Sequence, residues 1–209
     1  LTASALAAIL ALSIAACGGG GSSDANQEAG KFPVEVKSAE FPTAQHLGQT
    51  SLMRLGIRNA GHKALPALTV TVSIAGKEGQ TSTLPFAIHD PEPGLAQPDR
   101  PVWVLAARYP RFAGSSGPAG AETSNQKTFD FGPLKAGATD DVLWKLSAVK
   151  SGHYVLTYVI DAGIGGQSKT ETAGGATPGG SFSVRIASRP YGTEVRDNGE
   201  VVPLGKRAK

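Results

Sequence analysis

Residues 50–59 read TSLMRLGIRN. Leu52, Arg54, Gly56 and Arg58 alternate with Met53, Leu55 and Ile57. A helix would scatter the two sets around its circumference. A strand points successive side chains to opposite faces, so the same order gives one apolar face and one wet face. The stretch predicts a half-buried strand of a sheet that is packed on one side and solvated on the other.

Working outward, the same texture recurs. FPVEVKSA (32–39), ALTVTVSI (67–74), STLPFAI (82–88), PVWVLAA (101–107), QKTFDF (126–131), TDDVLWKLSAV (139–149), HYVLTYVID (153–161) and SFSVRIAS (181–188) are short, β-rich runs bounded by Gly, Pro and Asn. From Phe32 onward no run shows a 3.6-residue apolar period. Many short strands separated by turn residues predict an all-β chain, an antiparallel β-sandwich. Apolar residues make up 40% of the chain, enough for a core, while aromatics make up only 6%, so Val, Leu, Ile and Ala are expected to fill most of it. Gly (27) and Pro (14) together mark a turn-rich chain without reaching a disordered composition.

Two stretches carry a family resemblance. LGQTSLMRLGIRNAGHKALPALTVTVSI (47–74) is similar to the first half of a bacterial Ig-like module of the CARDB kind, with Asn59-Ala60-Gly61 as the N-x-G turn between two core strands. FGPLKAGATDDVLWKLSAVKSGHYVLTYVID (131–161) resembles the second half, with a GPL-x-x-G turn, Trp144 on the strand that follows, and a K-x-G-x-Y turn from Lys150 to Tyr154. The resemblance implies an Ig-like fold with Trp144 in the core. Tyr154 stands where a tyrosine-corner residue would, its hydroxyl bonding back to the backbone. Between the halves lies a longer insert than such a domain needs. Its Pro- and Gly-rich stretches HDPEPGLAQPDRP (89–101) and RYPRFAGSSGPAGAETSNQ (108–126) read as long central loops crossing one end of the sandwich, with PVWVLAA an extra strand between them. Long loops often carry function, so 89–100 and 108–126 are the first candidates for recognition.

The N-terminus has a different character. Residues 3–16, ASALAAILALSIAA, are uncharged and almost wholly apolar. Fourteen residues rise only about 21 Å as a helix, against about 30 Å of hydrocarbon, which favours a secretory h-region over a permanent span. Ile14-Ala15-Ala16-Cys17 resembles the lipobox of bacterial lipoproteins, which implies a signal peptide over 1–16 and diacylglycerol on the Cys17 thiol, the only cysteine present. No Met, Lys or Arg precedes it, so the start is expected to be truncated or a non-ATG codon read literally. Residues 17–31 then comprise the lipidated cysteine and a Gly/Ser-rich tether, GGGGSSDANQEAGK, whose 14 residues span roughly 20 Å as a flexible coil. The sandwich is expected over 32–188. The tail, 189–209, is basic and holds Asp197-Asn198-Gly199, a strong hairpin signal, as a ribbon on the sandwich edge or as a disordered arm that contains a turn.

The search for catalytic chemistry is short. Gly163 to Thr170, GIGGQSKT, nearly spells a phosphate loop, but Ser168 replaces the glycine the backbone needs, and ETAGGATPGG cannot supply the following helix. It reads as a loop joining the last two strands. His46, His62, His89 and His153 show no metal-ligand spacing. His89, Asp90, Glu92 and Asp99 lack the denser carboxylate comb of a calcium site and read as solvated loop residues. Asp140 and Asp141, adjacent on one strand, point to opposite faces and do not form an acid/base couple. No G-x-S-x-G elbow occurs. No metal, cofactor or catalytic residue is expected.

The formal charge is +3, and its excess sits between Arg185 and Lys209, with six basic and three acidic residues, not on a broad face of the kind that binds nucleic acid. The expectation is a non-enzymatic, lipid-anchored, extracytoplasmic module for binding, adhesion or scaffolding, held to the membrane through Cys17 and meeting an envelope protein or polysaccharide. The alternative is an accessory subunit or atypical enzyme of cell-envelope polysaccharide metabolism.

Overall fold

The computed structural model describes residues 28–75, 85–88, 101–115, 121–122, 128–190, 192–199 and 201–203. Its strands are β1 (Gly30–Glu40), β2 (Ala44–Leu47), β3 (Thr50–Asn59), β4 (Thr69–Ile74), β5 (Phe86–Ile88), β6 (Trp103–Leu105), β7 (Arg111–Phe112), β8 (Ala121–Glu122), β9 (Thr128–Asp130), β10 (Thr139–Ala148), β11 (Gly152–Asp161), β12 (Ser168–Glu171), β13 (Gly179–Pro190), β14 (Thr193–Val195) and β15 (Val201–Pro203). Two sheets face each other. The first runs β12-β1-β3-β10-β6-β5, with β7 also on β10; the second runs β2-β13-β11-β4-β9-β8. The expected all-β sandwich is correct. Its central pairings are antiparallel, but β1/β12, β13/β2 and β5/β6 are parallel.

The alternation in 50–59 decides β3 as expected: Met53, Leu55 and Ile57 are fully buried, while Leu52, Arg54 and Arg58 are exposed. Val, Leu, Ile and Ala fill most of the core, as expected. The few aromatics are not spread thinly but form one continuous chain of rings. It runs Tyr158–Phe182–Phe41–Trp103–Phe86–Phe129–Trp144–Phe131–Phe112, with successive centroids 5.5–6.5 Å apart. Edge and tilted contacts of this kind add to the stabilisation from burial alone. Trp103 also makes a buried polar contact. Its Nε1–H donates to Gln45 Oε1 at 2.9 Å, and Gln45 Nε2 donates to Pro42 O at 2.8 Å.

Asn59 links the two stretches that resemble one family. It is fully buried, and its Nδ2 donates to both Lys63 O and Leu134 O at 2.9 Å, while its Oδ1 accepts Gly61 N–H at 3.0 Å. One side chain thus pins the N-x-G turn to the GPL turn. At the other end Tyr154 Oη donates to Ser151 O at 2.8 Å, the expected backbone tie.

Close approach explains one glycine. A Cβ on Gly179 would lie 2.5 Å from the carbonyl oxygen of Tyr158, on the neighbouring strand β11. Backbone cannot rotate away as a side chain can, so the strands must part. Gly179→Ala is expected to destabilise by about 1–3 kcal/mol, in line with overpacking elsewhere. Gly174→Ala, whose Cβ would meet nothing nearer than 3.9 Å, should stay within about 0.5 kcal/mol of wild type. Urea melts of the two variants check this, and equal midpoints would refute it.

Several boundaries differ from the sequence reading. β1 begins at Gly30, so the last two tether residues are already strand, and β13 continues to Pro190. Ser168–Glu171 is not loop but β12, because it supplies the hydrogen-bond partners that β1 lacks along Gly30–Pro33. The hairpin turn at Asp197-Asn198-Gly199 forms, with Gly199 at φ +81° and its N–H on Arg196 O at 2.8 Å. β14 and β15 pair with each other as a separate ribbon, not as an added sandwich strand. Among the described residues no helix is long and apolar enough to cross a membrane.

Candidate functional site: a groove where the first strand changes sheets

β1 runs beside β3 only as far as the Glu40–Arg54 pair. The chain then crosses through Phe41, Pro42 and Thr43 to become β2 on the edge of the second sheet. That crossing leaves the upper part of β3 without a strand neighbour on this side. The result is a groove of about 580 Å³ lined by Ala39, Glu40, Phe41, Pro42, Thr43, Leu52, Arg54 and Phe182. Its floor is apolar, and Leu52 is 44% exposed within it. Its polar rim is Glu40 and Arg54. Arg54 is ion-paired with Asp141 on β10, and the bond and charge of that carboxylate hold the guanidinium proton more tightly than usual. A pocket of this chemistry accepts an apolar group with a polar end.

Glu28 and Ala29 lead into the other end of β1. Glu28 pairs with Lys63, Ser168 Oγ–H donates to Glu28 O at 2.6 Å, and Gly30 N–H donates to Gln167 O at 3.2 Å. A second hollow of about 400 Å³, lined by Glu28–Pro33 and Ala60–Lys63, marks this junction. The ten steps from Gly30 to Glu40 cover about 33 Å at the usual strand rise, so junction and groove lie at opposite ends of β1.

The expected recognition loops fare unevenly. Residues 89–100, with His89, Asp90, Glu92 and Asp99, lie outside the described residues, as does Cys17. The described start of 108–126 is not an end crossing. β6 and β7 both run down the free side of β10, with a blister at 106–110 between them. Ala106 N–H reaches Lys145 O and Ala113 N–H reaches Asp141 O, so the strand resumes after the blister to satisfy the β10 edge. The blister holds Arg108 at φ +69° and the cis Tyr109–Pro110 bond. Arg111 stacks 4.7 Å from the Tyr109 ring.

Trp144 and Trp103 are both fully buried, so neither is a ligand platform. Asp140 and Asp141 do diverge: Asp141 faces Arg54 on the outer surface, and Asp140 Oδ1 accepts the Asp141 N–H at 2.8 Å. His62 lies in the junction hollow, while His46 and His153 lie on β2 and β11. Among the described residues no three His, Cys, Asp or Glu side chains gather as a metal site would require. The groove itself was invisible to sequence reasoning, because its lining comes from three strands and a crossing. Only FPT at 41–43, a proline just past an alternating run, hinted that β1 ended there.

The sequence matches no family model and no curated protein. Likeness is found among solved structures. One is the CARDB domain of a Pyrococcus furiosus protein in complex with di-metal ions, at 12% identity over 77% of this chain and 90% of that one, with a TM-score of 0.41. A second is native α-2-macroglobulin from E. coli, at 14% identity over 75% of this chain and 7% of that one, TM-score 0.38. A third is the bacterial hydrophobin BslA, at 11% identity over 77% of this chain and 98% of that one, TM-score 0.40.

Proposed function

We propose that this chain is a lipid-anchored, extracytoplasmic module that binds or scaffolds rather than catalyses, its Ig-like body of the CARDB kind hung from the membrane by acylated Cys17. One observation supports the reading most. The tether end is clamped to the bottom of β1 by Glu28–Lys63 and by Ser168, while the groove opens at the far end of the same strand. An anchor at one end and an open apolar groove at the other is the geometry of a part that is held and presents. Asn59, Trp144 and the Tyr154–Ser151 tie are consistent with the CARDB-type assignment.

The anchor is tested directly. Cys17→Ser should abolish incorporation of a fatty-acid analogue and shift most of the protein from the membrane fraction to the medium or to an uncleaved precursor. Two acyl chains hold a protein far more firmly than one, so the shift should be near complete. Label retained by the variant would refute the anchor.

A further inference from the structure

The two outer faces of the sandwich carry different chemistry. On the first sheet the charges largely neutralise one another: Glu35 with Lys37 and Arg58, Arg54 with Asp141, Lys31 with Glu171. On the second sheet the middle of the outer face is uncharged. Thr71 bonds Thr128 and Ser73 bonds Thr157 through their hydroxyls at 2.9 and 2.7 Å, and Ser181 lies opposite Thr157 on β13. Exposed Val155 and Val159 flank these rows.

At the end far from the tether this hydroxyl field meets cations. The register sets His153 directly beside Arg185, with Lys150 in the turn before β11 and Arg189 near the end of β13. All four are exposed, and among the described residues none of Lys150, Arg185 and Arg189 has an ion-pair partner. His46 lies in the next row, its Nδ1 3.2 Å from Arg189 O. The small side chains of Ala44 and Ala187 on the same face leave the cations accessible. The acids of this face are at the opposite end, where Asp130 accepts Gly132 N–H and Asp161 accepts Ala162 and Thr170 N–H.

We propose that this face binds an acidic polysaccharide, Lys150, His153, Arg185 and Arg189 taking its anionic groups and Thr157, Ser181 and Ser183 its hydroxyls. Unpaired cations at one end of a sheet attract a polyanion, and charge-assisted bonds to oxyanions are the strong ones. Along Leu156–Asp161 β11 is hydrogen-bonded on both sides, to β13 and to β4, so the rows it carries offer a peptide strand no edge. The hydroxyl field suits a polyol instead. That the anion is a polymer and not the anchoring membrane rests on the tether reading above, which puts this end away from the lipid.

The test uses the full chain in detergent, with polygalacturonate, neutral dextran, polyglutamate and the water-soluble lipid headgroup glycerophosphoglycerol as probes at low and high salt. Polygalacturonate should bind with salt-sensitive affinity and dextran should not. Arg185→Gln with Arg189→Gln should weaken polygalacturonate binding about tenfold, and Ser181→Ala with Ser183→Ala a few-fold without moving polyglutamate. A double arginine variant that binds within twofold of wild type overturns the proposal. So does polyglutamate binding as tight as polygalacturonate, or binding of the headgroup alone. Since the assay reads no anchoring, its outcome is independent of the Cys17→Ser result.

Discussion

Trp144→Ala should cost about 3–5 kcal/mol, the range for deleting a large aromatic from a packed core. Trp144 is fully buried on β10, with Phe129 and Phe131 edge-on at 6.1 and 5.5 Å. The alanine leaves a cavity in the middle of the ring chain and removes two aromatic contacts at once. β10 is also the strand that β3, β6 and β7 share, so relaxation around the void would disturb the first sheet on both sides. Urea denaturation followed by far-UV circular dichroism measures the loss. A change under 1 kcal/mol would mean that the rings do not form the packed centre described above.

Trp103→Ala is expected to cost at least as much, for a second reason. The ring itself is worth about 3–5 kcal/mol, and its removal strands the amide oxygen of Gln45, a residue only 2% exposed, at about 1–3 kcal/mol more. Substitution by Phe separates the two terms. Trp144 Nε1 has no hydrogen-bond partner among the described residues, whereas Trp103 Nε1 donates to Gln45. Trp103→Phe should therefore cost about 1–3 kcal/mol more than Trp144→Phe, although both delete the same atoms. Equal costs would show that the Gln45 bond contributes nothing net. Gln45→Met with Trp103→Phe should lose less than the two single changes summed, since the double variant leaves no half of the pair behind.

The sandwich was legible because alternation is a local property. β3, β4, β10, β11 and β13 each carry it in eight or fewer consecutive residues, and burial follows the apolar parity on each. Trp144 and Tyr154 were legible through the resemblance of 131–161 to half of a CARDB-type module. What stayed hidden was non-local. β2 is AQHL and β12 is SKTE, neither apolar nor β-branched enough to stand out, and both exist because a neighbouring strand needed partners. The blister in 106–110 follows from the length of β10, which no reading of RYPRF could supply. The groove and the cation cluster require register, since Arg54 meets Glu40, and His153 meets Arg185, only across strands. Composition was likewise silent on arrangement: nine of the thirteen aromatics sit in one chain of contacting rings.

The clamp at Glu28 has a mechanical side. β1 starts just after Glu28 and runs lengthwise against β3, with β12 gripping its first four residues from the other flank. A pull applied through the residues before Glu28 acts along the strand, across the β3 hydrogen bonds that stand perpendicular to it. The bonds then share the load in shear instead of opening one by one like a zipper. Held at Cys17 as proposed, a body tugged from its far end would thus be loaded in its most resistant direction.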